Sequence, residues 1–325
     1  MNMIKTFFIG ILFTLNFCVF GQGNYAIVIH GGAGVMSKSR MTDEKQKEYI
    51  AKLNEALQLG DKMLQEGAEA TDVVVKVINI LEDSPLFNAG KGAVFTSEGN
   101  NELDASIMEG STLNAGAVAG VRDIKNPITA AREVMINSEH VFLSGKGASE
   151  FAKKQGLEIV PNKYFYTKSR FESLKQLQKR ERERQQKDNM GTVGCAVLDT
   201  HGNLCAGTST GGMTNKKYGR IGDAPVIGAG TYANNKTCAI SCTGHGEYYI
   251  RLSFARDISA LMEYKNLSVQ EACREEIKKL SELRGTGGVI AVDAKGNIAM
   301  EFNTSGMFRG YIKSSGEKEI AIFEN

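Results

Sequence analysis

The sequence predicts an α+β fold in which antiparallel sheets are covered by helices. Three observations predict it. Apolar runs of strand length flank two related turns, Asp-Thr-His-Gly-Asn at 199–203 and Asp-Ala-Lys-Gly-Asn at 293–297, and both read as hairpins. Strand and helix patterns are segregated rather than strictly alternating, which argues against a doubly wound parallel sheet. The chain has 325 residues, 42 % hydrophobic and 23 % charged, enough for a sizeable core.

Residues 1–21 read as an export signal. Lys5 gives the positive start, and Phe7–Phe20 is an apolar run too short to span a bilayer comfortably. Val19-Phe20-Gly21 ends on a small residue, which suits cleavage before Gln22. Cys18 leaves open a lipid anchor, and an uncut signal would leave a membrane anchor. The expected product is periplasmic and soluble, with no membrane partner, because no second apolar run follows.

Tyr25–His30 is an apolar strand. Gly31–Gly34 is expected to be a tight turn with close backbone packing, since no Lys-Ser/Thr follows to make a phosphate loop. Asp43–Glu66 has helical spacing and stops at Gly67. Thr71–Glu82 is a second, more apolar helix, and Ser84–Lys91 a loop. Leu103–Met108 and Ala115–Val121 are strands. The second is rich in Ala and Gly, so another layer should pack closely on it. Asn126–Ile136 is a helix with Pro127 in its first turn. Val141–Ser144 is a short strand and Ala148–Gln155 a short helix. The charged run Lys175–Asp188 fits either a solvated helix or an unstructured linker. Beyond the two hairpins, Asn235–Thr243 is a strand and Glu247–Tyr264 a helix. Ser268–Leu280 is a helix opened by a Ser268/Glu271 capping box.

Composition limits the function. A net charge of +2, with the basic residues of 175–187 interleaved with acids, leaves no nucleic-acid footprint. A small-molecule or peptide partner is expected. Five cysteines lie outside the signal, Cys195, Cys205, Cys238, Cys242 and Cys273, with no Cys-x-x-Cys pair, and they read as buried free thiols. No metal-ligand spacing is present.

The chemistry gathers around Gly191-Thr192. Gly191 removes side-chain bulk directly before a hydroxyl. Thr192 Oγ can attack the Gly191 carbonyl, and scission would leave Thr192 as an N-terminus whose amine serves as base for its own hydroxyl. The dipeptide could equally just open a strand. Pairing the first hairpin about His201 sets Thr192 opposite Thr210, on one face by parity, and puts Cys195 and Cys205 on the other. Plain cross-strand Thr pairs are also common. Arg220 and Asp223 suit the carboxylate and ammonium of a free amino acid, or form a surface ion pair. Residues 241–247, Ser-Cys-Thr-Gly-His-Gly-Glu, end a strand and begin a helix. Thr243 and the free amides there form a natural oxyanion hole, if the stretch is more than a glycine-rich helix start.

Several ordered motifs together resemble the plant-type L-asparaginase/isoaspartyl peptidase family of N-terminal nucleophile hydrolases. They are Met-Gly-Thr-Val-Gly at 190–194, Thr-Ser-Thr-Gly-Gly-Met-Thr-Asn at 208–215, Gly-Arg-Ile-Gly-Asp at 219–223, Gly-Ala-Gly-Thr-Tyr-Ala-Asn-Asn at 228–235 and Thr-Gly-His-Gly-Glu at 243–247. Upstream come His-Gly-Gly-Ala-Gly at 30–34, the stretch 85–96, Glu-Leu-Asp-Ala-Ser-Ile-Met-Glu-Gly at 102–110 and residues 114–121. The resemblance implies a four-layer αββα sandwich. It implies scission into an α subunit, 22–191 with a charged linker about 168–191, and a β subunit, 192–325. The two would form one composite domain and assemble as a dimer of αβ units.

By motif, Thr192 is the implied nucleophile, Thr210 its activator, and Thr243 with the Gly244 amide the oxyanion hole. Arg220 takes the substrate carboxylate, Asp223 and Gly246 its ammonium, and Asn88 positions the freed amine. No role falls to His245. Backbone carbonyls of Leu81, Glu82, Phe87 and Ala89 would hold a structural sodium ion, with no cofactor for catalysis. The implied reaction hydrolyses the side-chain amide of L-asparagine and the isopeptide bond of β-aspartyl dipeptides, releasing L-aspartate. Two alternatives remain at this stage: a glycosylasparaginase, and an uncleaved periplasmic amino-acid-binding protein.

Overall fold

The computed structural model describes residues 23–34, 36, 41–182 and 191–324. The export signal therefore lies outside the described residues, as does the end of the charged run.

In chain order the elements are strand β1 (Ala26–Gly34), helices α1 (Asp43–Gln65) and α2 (Ala70–Glu82), strands β2 (Leu103–Glu109) and β3 (Ala115–Val121), helix α3 (Pro127–Asn137), strand β4 (Phe142–Ser144), and helices α4 (Gly145–Lys154) and α5 (Lys168–Arg182). After Thr192 come β5 (Val193–Leu198), β6 (Leu204–Thr210), β7 (Thr231–Ala233), β8 (Cys238–Gly244), helices α6 (Gly246–Leu252), α7 (Phe254–Lys265) and α8 (Val269–Glu282), then β9 (Gly287–Asp293), β10 (Ile298–Phe302), β11 (Gly306–Lys313) and β12 (Lys318–Phe323).

One sheet runs β12-β11-β1-β5-β6-β2-β3-β4, antiparallel except for the β3–β4 pair. A smaller antiparallel sheet runs β10-β9-β8-β7. Strand alternation sorts the core into three apolar layers. Ile27 and Ile29 of β1 join Leu53, Leu57, Val77 and Ile78 beneath α1 and α2. Ala26 and Val28 of the same strand instead meet Ala239, Ile290 and Val292 of the smaller sheet. On that sheet's other side Val289 and Ala291 pack with Phe254, Ile258 and Leu280 of α7 and α8. The central layer is mostly Ala and Val, which lets the two sheets approach closely. The expected close layer on β3 is α3: a Cβ on Gly116 would overlap the Ala131 carbonyl.

Both hairpins form, and their turns are built alike. Asp199 Oδ1 accepts from the amides of His201 and Asn203, and Asp293 Oδ1 from those of Lys295 and Asn297. The Ser268/Glu271 capping box is complete. All five cysteines are buried and free.

Four expectations change. Gly31–Gly34 is not a turn. β1 runs through it with an irregularity between His30 and Gly32, because β11 pairs along the whole stretch. The single helix expected at 247–264 is two, broken at Ser253 in the left-handed region (φ 49°). There the amides of Ala255 and Arg256 reach the carbonyls of Ala229 and Gly228, so tertiary bonds override helical ones. The strand expected at 235–243 starts only at Cys238, because 234–237 turn back to β7. Residues 168–182 of the expected linker form α5, docked through buried Leu174 and Leu177 and through Arg170, which donates to the carbonyls of Gly92 and Leu86.

Candidate active site

Strand register brings the hydroxyls together. Val193 pairs with Ser209, so Thr192 and Thr210 are the next opposing pair, as the turn-centred register requires. Thr192 Oγ1 donates to Thr210 Oγ1 at 3.1 Å. Thr210 Oγ1 in turn donates to the Gly191 carbonyl at 3.1 Å and accepts from the Gly212 amide at 3.0 Å. Asn88, in the loop after α2, donates from Nδ2 to the same Gly191 carbonyl at 2.6 Å and to Gly212 O at 2.7 Å. Its Oδ1 accepts from Val94 N at 2.9 Å, which fixes the amide's orientation. Asn88 therefore faces the carbonyl of the Gly191–Thr192 bond rather than the Thr192 nitrogen.

Gly191, Thr192, Thr210, Gly212, Met213, Arg220, Gly222, Asp223 and Gly244 line one cleft. Its free space is only about 10 Å³, the room for one water molecule. An amino acid does not fit in that space. Gly246 touches this cleft from α6: a Cβ there would crowd Asp223 Oδ1 at 2.7 Å and Arg220 Nη2 at 3.0 Å. Thr243 is not in the lining, and its buried Oγ1 accepts from the Ala33 amide at 3.4 Å.

Two charged groups wait in the cleft wall. Asp223 is buried, and its Oδ2 has no hydrogen-bond partner among the described residues. Burial pushes its carboxyl up to about 7, even with Arg220 nearby to pull it down. Such an orphan acceptor is costly unless a ligand completes it. Arg220 is held by a residue that the motif reading did not single out. Glu247 grips it by two 2.8 Å hydrogen bonds, Nε to Oε1 and Nη2 to Oε2. Burial disfavours the guanidinium charge, and the Glu247 pairing outweighs that. The same pairing holds the Glu247 carboxyl below the usual range. The clue was present in the sequence, since Glu247 closes the Thr-Gly-His-Gly-Glu motif. Its partner lies 27 residues away, beyond the reach of local pattern.

His30 is the second residue missed. It is fully buried, with Nδ1 3.1 Å from the Thr192 carbonyl. A larger cavity of about 640 Å³ lies elsewhere, lined by Glu102, Arg122, Asp123 and Lys146 among others. Glu102 and Arg122 there neutralise each other at 2.6 Å, and no hydroxyl pair like that of Thr192 faces it. Among the described residues no helix is long and apolar enough to cross a membrane, and no cluster of His, Cys, Asp and Glu is arranged to hold a metal ion.

Comparison with known proteins agrees with the motifs. The protein family described as Asparaginase matches residues 23–322. An isoaspartyl peptidase of Escherichia coli (strain K12) is 49 % identical over 299 residues, covering 89 % of this chain and 93 % of its own. A plant-type L-asparaginase of Pyrococcus horikoshii is 40 % identical over 312 residues, 91 % and 99 % of the two chains. An isoaspartyl peptidase/L-asparaginase of Bos taurus is 39 % identical over 288 residues, 87 % and 92 %. With the family matched along almost all of the described chain and relatives this similar over nearly their full length, the chain belongs to the asparaginase family that includes plant-type L-asparaginases and isoaspartyl peptidases.

Proposed function

We propose that this chain is a self-processing threonine hydrolase that cleaves the side-chain amide of L-asparagine and the isopeptide bond of β-aspartyl dipeptides, releasing L-aspartate. The observation that carries the reading is the chain of hydrogen bonds from Thr192 Oγ1 through Thr210 Oγ1 to the Gly191 carbonyl. It points the nucleophile's proton toward the oxygen that must receive it.

In maturation Thr192 Oγ adds to the Gly191 carbonyl carbon. Negative charge develops on the Gly191 oxygen, where the donors from Asn88 and Thr210 already converge. The Thr192 proton passes to Thr210 as Thr210 gives its own to that oxygen. Collapse re-forms the carbonyl as that proton passes to the Thr192 nitrogen, breaks the Gly191–Thr192 C–N bond and leaves an ester on Thr192 Oγ with a free α-amine; water then hydrolyses the ester. The departure of Gly191 opens the cleft.

In turnover the new α-amine takes the Thr192 hydroxyl proton. An ordinary α-amine titrates near ~8, and the cation of Arg220 beside it favours the neutral base. Thr192 Oγ attacks the substrate's side-chain carbonyl. The Gly244 amide in the cleft lining stabilises the oxyanion, joined once the cleft opens by Thr243, whose hydroxyl accepts from Ala33 and keeps its own hydrogen to donate; the amine or ammonia leaves with a proton, and water clears the β-aspartyl ester. Arg220 binds the α-carboxylate, and Asp223 with Gly246 binds the α-ammonium. Glu247 already occupies Arg220 in the manner of a carboxylate, so the substrate must share or displace it.

The reading includes a four-layer αββα sandwich, which the three apolar layers support. It also includes α and β subunits divided before Thr192, a dimer of αβ units, and export to the periplasm on the sequence of residues 1–21. It includes a structural sodium ion on backbone carbonyls at the end of α2 and in the following loop, where Gly90 and Gly92 leave the Glu82 and Phe87 carbonyls uncrowded by side chains. The Leu81 and Ala89 carbonyls, which also accept from the Ser84 and Gly92 amides, would complete the set, and no chemical step uses the ion.

N-terminal sequencing of purified protein, with a β-aspartyl dipeptide assay, tests the proposal. Two fragments are expected, one beginning at Thr192. Full activity in an unbroken chain would overturn it. Arg220→Lys is expected to raise KM about tenfold or more, because the bidentate fork is lost, while the fraction of cut chain changes little. Equal loss of both would make Arg220 structural.

Asp223 sets a pH dependence. Because its carboxyl is raised to about 7, it is neutral below that pH and loses its attraction for the ammonium. KM is expected to rise as pH falls below about 7, by up to roughly tenfold per unit, and Asp223→Asn to give a high KM independent of pH. A wild-type KM that stays flat from pH 5 to 8 would remove Asp223 from this role.

A further inference from the structure

We infer that His30 is a positioning residue for the nucleophile. Its Nδ1–H fixes the Thr192 carbonyl, and a chain of buried hydroxyls fixes the imidazole and ties it to the loop that carries Asp223. The inference rests on Thr192 being the nucleophile.

The chain crosses between the two sheets. His30 Nε2 lies 3.0 Å from Ser241 Oγ. Ser241 Oγ lies 2.6 Å from Thr208 Oγ1, and Thr208 Oγ1 lies 2.6 Å from Thr231 Oγ1. Ser106 Oγ then reaches Thr231 Oγ1 at 2.8 Å and the Ala224 carbonyl, next to Asp223, at 2.6 Å. His30, Ser106, Thr208 and the other two hydroxyl residues are all fully buried.

The donors follow from the carbonyl at one end of the chain and from a neutral ring. A carbonyl only accepts, so Nδ1 carries the hydrogen toward Thr192 O. Burial keeps the ring neutral, pushing its pKa down to about 3. Nε2 is therefore bare, and Ser241 must donate to it. Thr208 must then donate to Ser241, and Thr231 to Thr208. Ser106 ends the run, its one hydrogen shared between Thr231 Oγ1 and the Ala224 carbonyl.

The sequence makes room for this. A Cβ on Gly194 would overlap both Ser241 Oγ and His30 Nε2. The last glycine of Met-Gly-Thr-Val-Gly thus leaves the space in which imidazole and serine meet. The surrounding layer is otherwise Ala, Val, Leu, Ile and Met, and five buried polar side chains within it cost desolvation that packing would not require. What the network gives in return is a fixed orientation. After scission Thr192 loses its covalent tether to Gly191, and the β5 ladder begins only at Val193. The bond from His30 then holds the backbone of the residue that reacts.

Two replacements separate the ring nitrogens. Asparagine places an amide near Nδ1, and glutamine places one near Nε2. Kinetics on a β-aspartyl dipeptide, normalised to the fraction of chains with a free Thr192, provide the readout. His30→Asn is expected to keep kcat within about threefold of wild type. His30→Gln is expected to lose about tenfold or more in kcat, with KM within about twofold, the signature of a misplaced nucleophile in an intact binding site. Ser241→Ala leaves His30 Nε2 without its donor, so it is expected to lower kcat about threefold and Tm by a few degrees, with KM unchanged. Equal kcat in His30→Gln and His30→Asn, or a wild-type kcat in Ser241→Ala, would overturn the inference. Should both His30 variants fail to fold, Ser241→Ala alone decides. An active Thr192→Ala would instead defeat the underlying reading, whereas an inactive one beside fully active His30 and Ser241 variants defeats only this inference.

Discussion

Thr192→Ala is expected to yield a single uncut chain with no measurable amidase activity. In the proposed mechanism one atom serves two reactions. Thr192 Oγ1 is the hydroxyl hydrogen-bonded to Thr210, and Thr210 also touches the Gly191 carbonyl. Removing it takes away the nucleophile of maturation, and with it the α-amine that would act as base in turnover. Loss of a catalytic nucleophile in other hydrolases costs roughly 10⁶-fold in kcat, and here the closed cleft adds to that. With Gly191 still in place the free space is about 10 Å³, so even residual chemistry has no room for substrate. Gel electrophoresis and intact mass decide the matter: two fragments from this variant would mean that another group cuts the chain.

The second large effect is expected at Asn88. Asn88→Ala removes one of two donors on the Gly191 carbonyl, the shorter one at 2.6 Å. A pre-organised donor at a developing oxyanion typically contributes about 10²–10³ in rate. Maturation should slow by about that factor, visible as a time course of uncut chain after synthesis. Asn88 also donates to Gly212 O and accepts from Val94 N, so some loss of stability is expected, and Tm should be measured alongside. Scission at the wild-type rate in a folded Asn88→Ala protein would show that Thr210 alone, or a different group, stabilises the oxyanion.

How much of this was readable from the chain follows a physical division. The paired turns at 199–203 and 293–297 were legible because an aspartate capping its own turn is a local event. The pairing of Thr192 with Thr210 followed from parity, since a hairpin with a defined turn has one register. The capping box at Ser268 was legible for the same reason. The break at Ser253 was not, because the first amides of α7, on Ala255 and Arg256, find partners far upstream at Ala229 and Gly228. β11 and β12 carried no distinct signal, yet β11 pairs along the whole of β1 and so turns an apparent glycine loop into strand. The charged run was readable as a helix or as a linker, and only the docking of Leu174 and Leu177 decided for the helix α5.

The sequence by itself determined the hairpin register that sets Thr192 opposite Thr210 and the segregated strands and helices of the α+β class, because alternation, turn chemistry and residue type act between near neighbours. Only the tertiary structure decided what surrounds them: Asn88 on the carbonyl to be broken, Glu247 on Arg220, the orphan oxygen of Asp223, and His30 reaching Thr192 across 162 positions. Those contacts depend on the two sheets closing over a shared layer. Once water is excluded there, each buried polar atom must find its partner wherever the fold has brought one.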